Sequence, residues 1–124
     1  MTLVPFDVQL IQDTGIPGVL VAQSVEGDNQ TDIYVTAAQN VNGIQLWSAA
    51  ISSYMSTGGT PVEDVLEDST SVIYLSLESG PGNSPVVSLE LKGILVPPGR
   101  ALQLTTGASG GTHKVSATVI YTLL

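Results

Sequence analysis

Alternation of apolar and polar residues with a period of two runs along most of this chain. Successive side chains of a β-strand point to opposite faces of its sheet, so this pattern predicts strands with one buried face. About seven segments besides the last one show it, separated by clusters of turn-forming residues. The last segment, which shows it most clearly, alternates Val115, Ala117, Val119, Tyr121 and Leu123 with Lys114, Ser116, Thr118 and Thr122.

Clusters of turn-forming residues mark the ends of most of the predicted strands. The first strand contains Phe6, Val8 and Leu10 and ends at the turn 13–15, Asp-Thr-Gly. The segment 44–55 is long for a strand, and some of its apolar residues also have helical spacing, but its β-branched and Ser-rich composition favours an extended chain. The acidic segment 62–69 predicts either one helical turn or an irregular crossover.

Eight or so short strands at this spacing predict an antiparallel sandwich or barrel rather than a parallel sheet with helical crossovers. The count suits a jelly roll, in which two Greek keys supply eight strands. An immunoglobulin-like sandwich competes with it, but the chain has no cysteine for the Cys…Trp…Cys pattern. We therefore predict an all-β, single-domain antiparallel sandwich over residues 1–124, of the eight-stranded jelly-roll type.

The charge and hydropathy of the chain indicate which classes of partner it can bind. Only 11% of the residues are charged, against roughly a quarter in an average domain, so the solvated faces must consist mainly of Ser, Thr, Gln, Asn and Gly. The hydrophobic content of 43% predicts apolar surface that another subunit or a partner covers. The alternative is that small β domains simply contain much Val and Leu. A net charge of −8 repels phosphate, so nucleic acid is not an expected partner.

The sequence predicts no membrane segment and no disulfides. Residues 1–5 lack the basic and apolar regions of a signal peptide, and no run reaches the roughly 20 apolar residues of a membrane helix. Cysteine is absent, which excludes thiolate chemistry. We expect a protein that is made in the cytoplasm.

Two segments rich in carboxylates are candidate binding sites. The first is the set Glu63, Asp64, Glu67 and Asp68, with four carboxylates in six positions. It predicts a solvated acidic crossover, a docking patch for a basic partner or a calcium site, although the spacing does not match an EF-hand. The second segment, Gly27–Asp32, is also rich in oxygen atoms, but Asp and Asn are the usual residues of turns.

Three single residues are further candidates. Trp47, the only tryptophan, is expected in the core or at an interface, with sugar stacking as the alternative. Arg100 follows a Pro-Pro-Gly turn and is expected either to stabilise that turn or to pair with a carboxylate across a subunit interface. His113, the only histidine, is expected to be partly exposed and to have no catalytic partner.

No catalytic constellation is recognisable. One unplaced histidine supports no Ser/His/Asp set, there is no cysteine nucleophile, and no Gly-rich phosphate loop precedes a helix. We therefore predict a protein that is not an enzyme and has no cofactor and no metal.

The segment Gly93–Leu104 contains a strand, a Val-Pro-Pro-Gly-Arg turn and a short alternating strand, and the strand 116–121 follows it. This arrangement resembles the C-terminal half of small virion proteins of tailed phages. Among these, capsid decoration (cement) proteins are compact β-sandwich or jelly-roll domains that often assemble as trimers. The resemblance implies a homotrimeric virion protein that binds the major capsid protein on the outside of the shell. The alternative is a receptor- or carbohydrate-binding module of a phage tail or fibre.

Overall fold

The computed structural model describes residues 8–124, with side chains from residue 11 onward. No helix in this range is long and apolar enough to cross a membrane. Phe6, expected in the first strand, lies outside the described residues. The nine strands of the described part are β1 (Val8–Asp13), β2 (Val19–Glu26), β3 (Thr31–Val35), β4 (Ile44–Met55), β5 (Val62–Asp68), β6 (Ile73–Ser79), β7 (Val86–Val96), β8 (Leu102–Thr105) and β9 (His113–Leu123).

The strands form two sheets that pack face to face. Sheet A has the order β1-β2-β9-β4-β7 and sheet B the order β3-β8-β5-β6, and every strand pair is antiparallel. Strands β2 to β9 form two interleaved Greek keys, which is the jelly-roll arrangement. The predicted antiparallel jelly-roll sandwich is therefore confirmed. The ninth strand is β1, which pairs with β2 as a hairpin and extends sheet A at its edge.

Two segments tested the sequence predictions most directly. The segment 44–55 is one continuous strand, as its composition favoured. The segment 62–68 is strand β5, so the prediction of a helical turn or an irregular crossover was wrong. Strand β5 pairs with both β6 and β8, which places Asp64, Leu66 and Asp68 on the inner face of sheet B.

The core lies between the sheets and contains the alternate residues of the inner faces. Burying each large aliphatic side chain contributes about 1.5–3 kcal/mol, so the core fixes which face of every strand points inward. Its fully buried aliphatic members from the two sheets include Ile44, Leu46, Leu66, Leu102, Leu104, Val96, Val115 and Val119.

An irregularity interrupts the edge of sheet A between β4 and β7. The register shifts between Leu46 and Ser48, and on β7 both Lys92 (φ 53°) and Gly93 (φ 81°) adopt positive φ. The Trp47 ring lies over Gly93, where a Cβ atom would be 3.2 Å from the ring. A bulge and a lysine on an edge strand hinder further strand pairing. Strand β7 is therefore protected against edge-to-edge association.

Candidate functional site

The outer face of sheet A has few charged side chains in the described structure. Small, hydroxyl-bearing and aliphatic side chains alternate outward along its strands. The charged residues on this face include Glu90, which is opposite Ser48, and Lys114, which is opposite Tyr54. We call this surface face A. It is defined by Val21, Gln23 and Val25 of β2, Ser116, Thr118 and Ile120 of β9, Ser48, Ala50 and Ser52 of β4, and Val86 and Ser88 of β7.

Two shallow hollows lie along β4 on face A, and we call them together the trough. One hollow of about 390 Å³ has Ala50, Thr118 and Ile120 in its lining, and a second of about 270 Å³ includes Ser52 and Ser116. The floor is low because these side chains are short. The trough can therefore receive side chains that project from a flat partner surface.

Trp47 and Tyr54 lie near opposite ends of this trough. Trp47 is 37% exposed and Tyr54 is 48% exposed, and the Trp47 indole N–H donates to Thr122 Oγ1 at 2.9 Å. Of the core and interface placements that the sequence left open for Trp47, the structure excludes the core of the chain, because this position on β4 points outward. Its expected roles at an interface and in sugar stacking both require this exposure.

The outer face of sheet B, which we call face B, is acidic. It exposes Glu63, Glu67 and Glu78, and Glu63 stands directly opposite Glu78 in the β5–β6 register. Like charges in such a pair destabilise a sheet, and no lysine or arginine lies on the described strands of sheet B. A basic partner would relieve this repulsion.

The structure divides the predicted cluster of four carboxylates. Glu63 and Glu67 point outward, whereas the side chains of Asp64 and Asp68 are fully buried. Alternation along β5 is the physical reason, because residues two apart share a face. Asp64 and Asp68 are therefore out of reach of a docking partner. Among residues 8–124, no group of three or more His, Asp or Glu side chains is arranged to hold a metal ion.

Asp68 organises one end of the sandwich, where the β5–β6 and β7–β8 connections meet. Tyr74 Oη donates to Asp68 Oδ2 at 2.8 Å, and Arg100 Nη1 is 3.2 Å from the same oxygen. Thr70 donates to Asp68 Oδ1 through its hydroxyl and its backbone N–H. Burial would raise the pKa of Asp68, but the hydrogen bonds from Thr70, Tyr74 and Val72 outweigh it and hold this pKa well below its usual range.

Arg100 thus pairs with a carboxylate of its own chain. It is the local turn contact among the two roles that the sequence left open, and it ties the Pro-Pro-Gly turn to β5. The same pair affects Tyr74, because burial and the hydrogen bond to Asp68 raise the pKa of the Tyr74 phenol. This end of the sandwich is a structural cluster.

His113 organises the opposite end, where the β2–β3, β4–β5, β6–β7 and β8–β9 connections meet. Its Nε2 is 3.0 Å from Asp64 Oδ2 and its Nδ1 is 3.1 Å from Asp28 Oδ1. The His113 side chain is fully buried, so the expectation of a partly exposed residue was wrong. Ser79 Oγ lies 2.7 Å from Asp64 Oδ2 and 2.7 Å from Ser53 Oγ. This network joins β4, β5, β6 and β9.

Asp28 connects the same network to two loops. Ser109 donates its N–H and its hydroxyl to Asp28 Oδ1, both at 2.7 Å, and Gly110 N–H donates to Oδ2 at 3.2 Å. Burial would raise the pKa of Asp28, but the hydrogen bonds from Ser109, Gly110 and His113 outweigh it and lower this pKa to about 2. Asp28 therefore has a structural role within the segment Gly27–Asp32.

The Asp64–His113–Asp28 arrangement is unsuited to nucleophilic catalysis. A catalytic serine must donate to the histidine that removes its proton, whereas Ser79 contacts Asp64 and both ring nitrogens of His113 face carboxylates. The ring is also buried, so no substrate reaches it.

Sequence reasoning missed the contacts of His113, although a signal existed. His113 shares odd-numbered parity with Val115 and Ala117, which form the buried face of β9, and Asp64 shares parity with Leu66 on β5. If the alternation of buried residues is continued to the polar residue at the end of each strand, His113 and Asp64 are both predicted to point inward. The rule that charged residues are seldom buried unless paired argued against that step.

Comparison with known proteins finds likeness of fold at low identity. No protein-family model matches the chain, and no curated protein does. A subunit of the disulfide-linked pili of Bacillus endospore appendages aligns with 12% identity and a TM-score of 0.46, over 100% of this chain and 97% of that subunit. The coat protein of Tobacco streak virus aligns with 8% identity and a TM-score of 0.41, over 98% and 90% of the two chains. Likeness at this level does not transfer a function.

The lowered pKa of Asp28 predicts loss of stability in acid. An aspartate with a pKa of 3.8 when unfolded and about 2 when folded stabilises the protein above pH 4, and this contribution disappears as the pH falls through 2. The measurement is urea unfolding at pH 5, 3.5 and 2.5. Over this range, we expect the free energy of unfolding of Asp28→Asn to fall by up to about 2 kcal/mol less than that of the wild type. Glu90→Gln, an exposed control, should follow the wild type. If the free energy of unfolding depends on pH in the same way for the wild type and Asp28→Asn, this role of Asp28 is contradicted.

Proposed function

We propose that this protein is a non-enzymatic virion protein that binds the outer surface of a phage capsid and stabilises the assembled shell. The observation that carries the proposal is face A, a broad surface of small and apolar side chains on a jelly roll whose two ends are fixed by buried ion pairs. The resemblance of residues 93–104 and 116–121 to small virion proteins supports the same class. Its partner would be the major capsid protein, and its location the virion.

Face A is the surface that we assign to association between copies into a homotrimer. Val25 is 50% exposed and Val86 is 71% exposed, and burying such side chains against another copy removes apolar surface from water. The short side chains of the trough allow a neighbouring copy to approach closely. Trp47, at the end of the trough, supplies the kind of large aromatic contact that is enriched in interfaces.

Face B is the surface that we assign to the capsid. Glu63, Glu67 and Glu78 present negative charge without a cation of their own chain on that face, so a basic capsid surface complements them. Charge complementarity of this kind chiefly increases the association rate and the specificity. Exposed Ile33 and Ile73 lie on the same side of the sandwich and can add apolar contact.

Stabilisation follows from linkage and avidity. A protein that binds the assembled shell but not the separate subunits shifts the equilibrium toward the shell, by an amount that grows with its concentration relative to Kd. A trimer presents three copies of face B at once, so weak contacts combine into strong attachment. No catalytic step is required.

Neutralising face B tests the capsid contact. We expect the triple variant Glu63→Gln, Glu67→Gln, Glu78→Gln to bind capsids at least about tenfold more weakly than the wild type at low salt, because three rim charges are removed. The measurement is co-sedimentation with undecorated phage capsids, followed by the temperature at which the decorated shells release their DNA. Asp13→Asn, which removes an exposed carboxylate at the end of β1 and away from both faces, is the matched control.

Either of two results would contradict this proposal. Equal attachment of the wild type and the triple variant would remove the electrostatic contact. Attachment that leaves the shell's thermal stability unchanged would remove the cement function.

A carbohydrate- or receptor-binding module is the second candidate, and the exposure of Trp47 favours it. An exposed indole can stack on a sugar ring, and the hydroxyl groups of the trough can bond to the sugar. This candidate predicts a shift in Trp47 fluorescence when bacterial surface glycans are added, abolished by Trp47→Ala and retained in Tyr54→Ala. No change in fluorescence across a panel of such glycans would exclude it.

A further inference from the structure

The loops at the His113 end are bonded to each other, and the His113 imidazole is one of their links to the rest of the sandwich. The other links include Gly107 N–H, which donates to Asp64 Oδ1 at 3.2 Å, and Thr60 N–H, which donates to Ser109 O at 3.0 Å. Asn29 N–H donates to Gly107 O at 2.9 Å, and Thr106 N–H donates to Gln30 O at 2.8 Å. These bonds pair the β2–β3 loop with the β8–β9 loop. The His113 ring lies between Asp28 on this loop pair and Asp64 on β5.

The two contacts of that ring depend on its protonation state. Ionised carboxylates only accept hydrogen bonds, so contacts on both Nδ1 and Nε2 require two N–H groups, which only the imidazolium form has. The neutral ring carries one N–H and one lone pair. In that form, one of the two contacts would place a lone pair against a carboxylate oxygen.

We propose that protonated His113 is a pH-sensitive clamp on this end of the sandwich, and that loss of its proton breaks its contact with Asp28 and loosens the paired loops. Asp64 is fully buried and also accepts from Ser79, so losing His113 would leave it a buried charge without its cation. Asp28 is 28% exposed and water can solvate it. The neutral ring therefore keeps its proton on Nε2 toward Asp64 and gives up the contact with Asp28.

The titratable groups around His113 lie on several elements. Besides Asp28 and Asp64, the neighbouring strands carry Glu26 of β2 and Asp32 of β3, both buried. Glu26 is in register with Val115, two residues from His113. Among the cations, Lys114 is exposed, Arg100 belongs to the opposite end and Lys92 lies on the edge strand β7. The clamp is thus closed at low pH, while Asp28 is still ionised, and opens as the pH rises.

Nuclear magnetic resonance on the whole chain tests this proposal. The ¹⁵N shifts of the His113 ring report its protonation between pH 5 and 9, and hydrogen exchange, corrected for its intrinsic pH dependence, reports the loops. We expect the protection of the Asn29 and Ser109 amides to fall by about tenfold as the ring loses its proton, the effect of losing a bond to a charged group. The Gly99 amide, which donates to Asn40 O at the other end, should keep its protection.

A pair of matched variants completes the test. Asp28→Asn should remove most of the pH dependence of the loop amides, whereas Asp13→Asn, whose carboxylate accepts from Gly15 N–H at a distant turn, should retain it. Three results would overturn the proposal: a ring that titrates without any change in the loops, a ring that does not titrate between pH 5 and 9, or equal loss of protection at Gly99. If Asp28→Asn does not fold, the wild-type comparison alone decides the matter.

Discussion

Inward-facing carboxylates hold both ends of this jelly roll, and the rest of the structure depends on them. Asp64 and Asp68 lie on the inner face of β5, where hydrophobic packing alone would favour aliphatic residues. A buried charge is tolerated only when it is paired and hydrogen-bonded. Each carboxylate therefore requires a specific set of donors, from His113 and Ser79 at one end and from Thr70, Tyr74 and Arg100 at the other. These requirements fix the loops that connect the two sheets.

Because several carboxylates are buried, the charge on the surface differs from the net charge of the sequence. Four carboxylates, those of Glu26, Asp32, Asp64 and Asp68, are buried. The net charge of −8 is therefore a poor description of the surface. Face A is left with little charge and face B is left acidic, so the two sides of one small sandwich suit different partners. We propose that this difference separates contact between copies from contact with the shell.

Alternation made most of the strands predictable, and it failed where polar residues took inward positions. Strand β9 and strand β4 follow the apolar pattern closely, so the sheet they share could be anticipated from the sequence. The sequence of strand β5 is acidic because its inward residues include two aspartates. The burial of Asp64 depends on Ser79 and His113, which lie 15 and 49 residues away, and nothing local in the sequence indicates them. Asp68, by contrast, accepts from Thr70, Val72 and Tyr74, which lie two to six residues away. The choice between core and interface stayed open for Trp47, because its outward position depends on the register shift between Leu46 and Ser48, which strand periodicity does not reveal.

Native mass spectrometry of the purified protein at micromolar concentration tests most directly whether face A is covered by other copies. We expect a stable trimer that dissociates when Ser116→Lys adds a charge within face A. A wild-type protein that remains monomeric would contradict the assignment of face A to contact between copies.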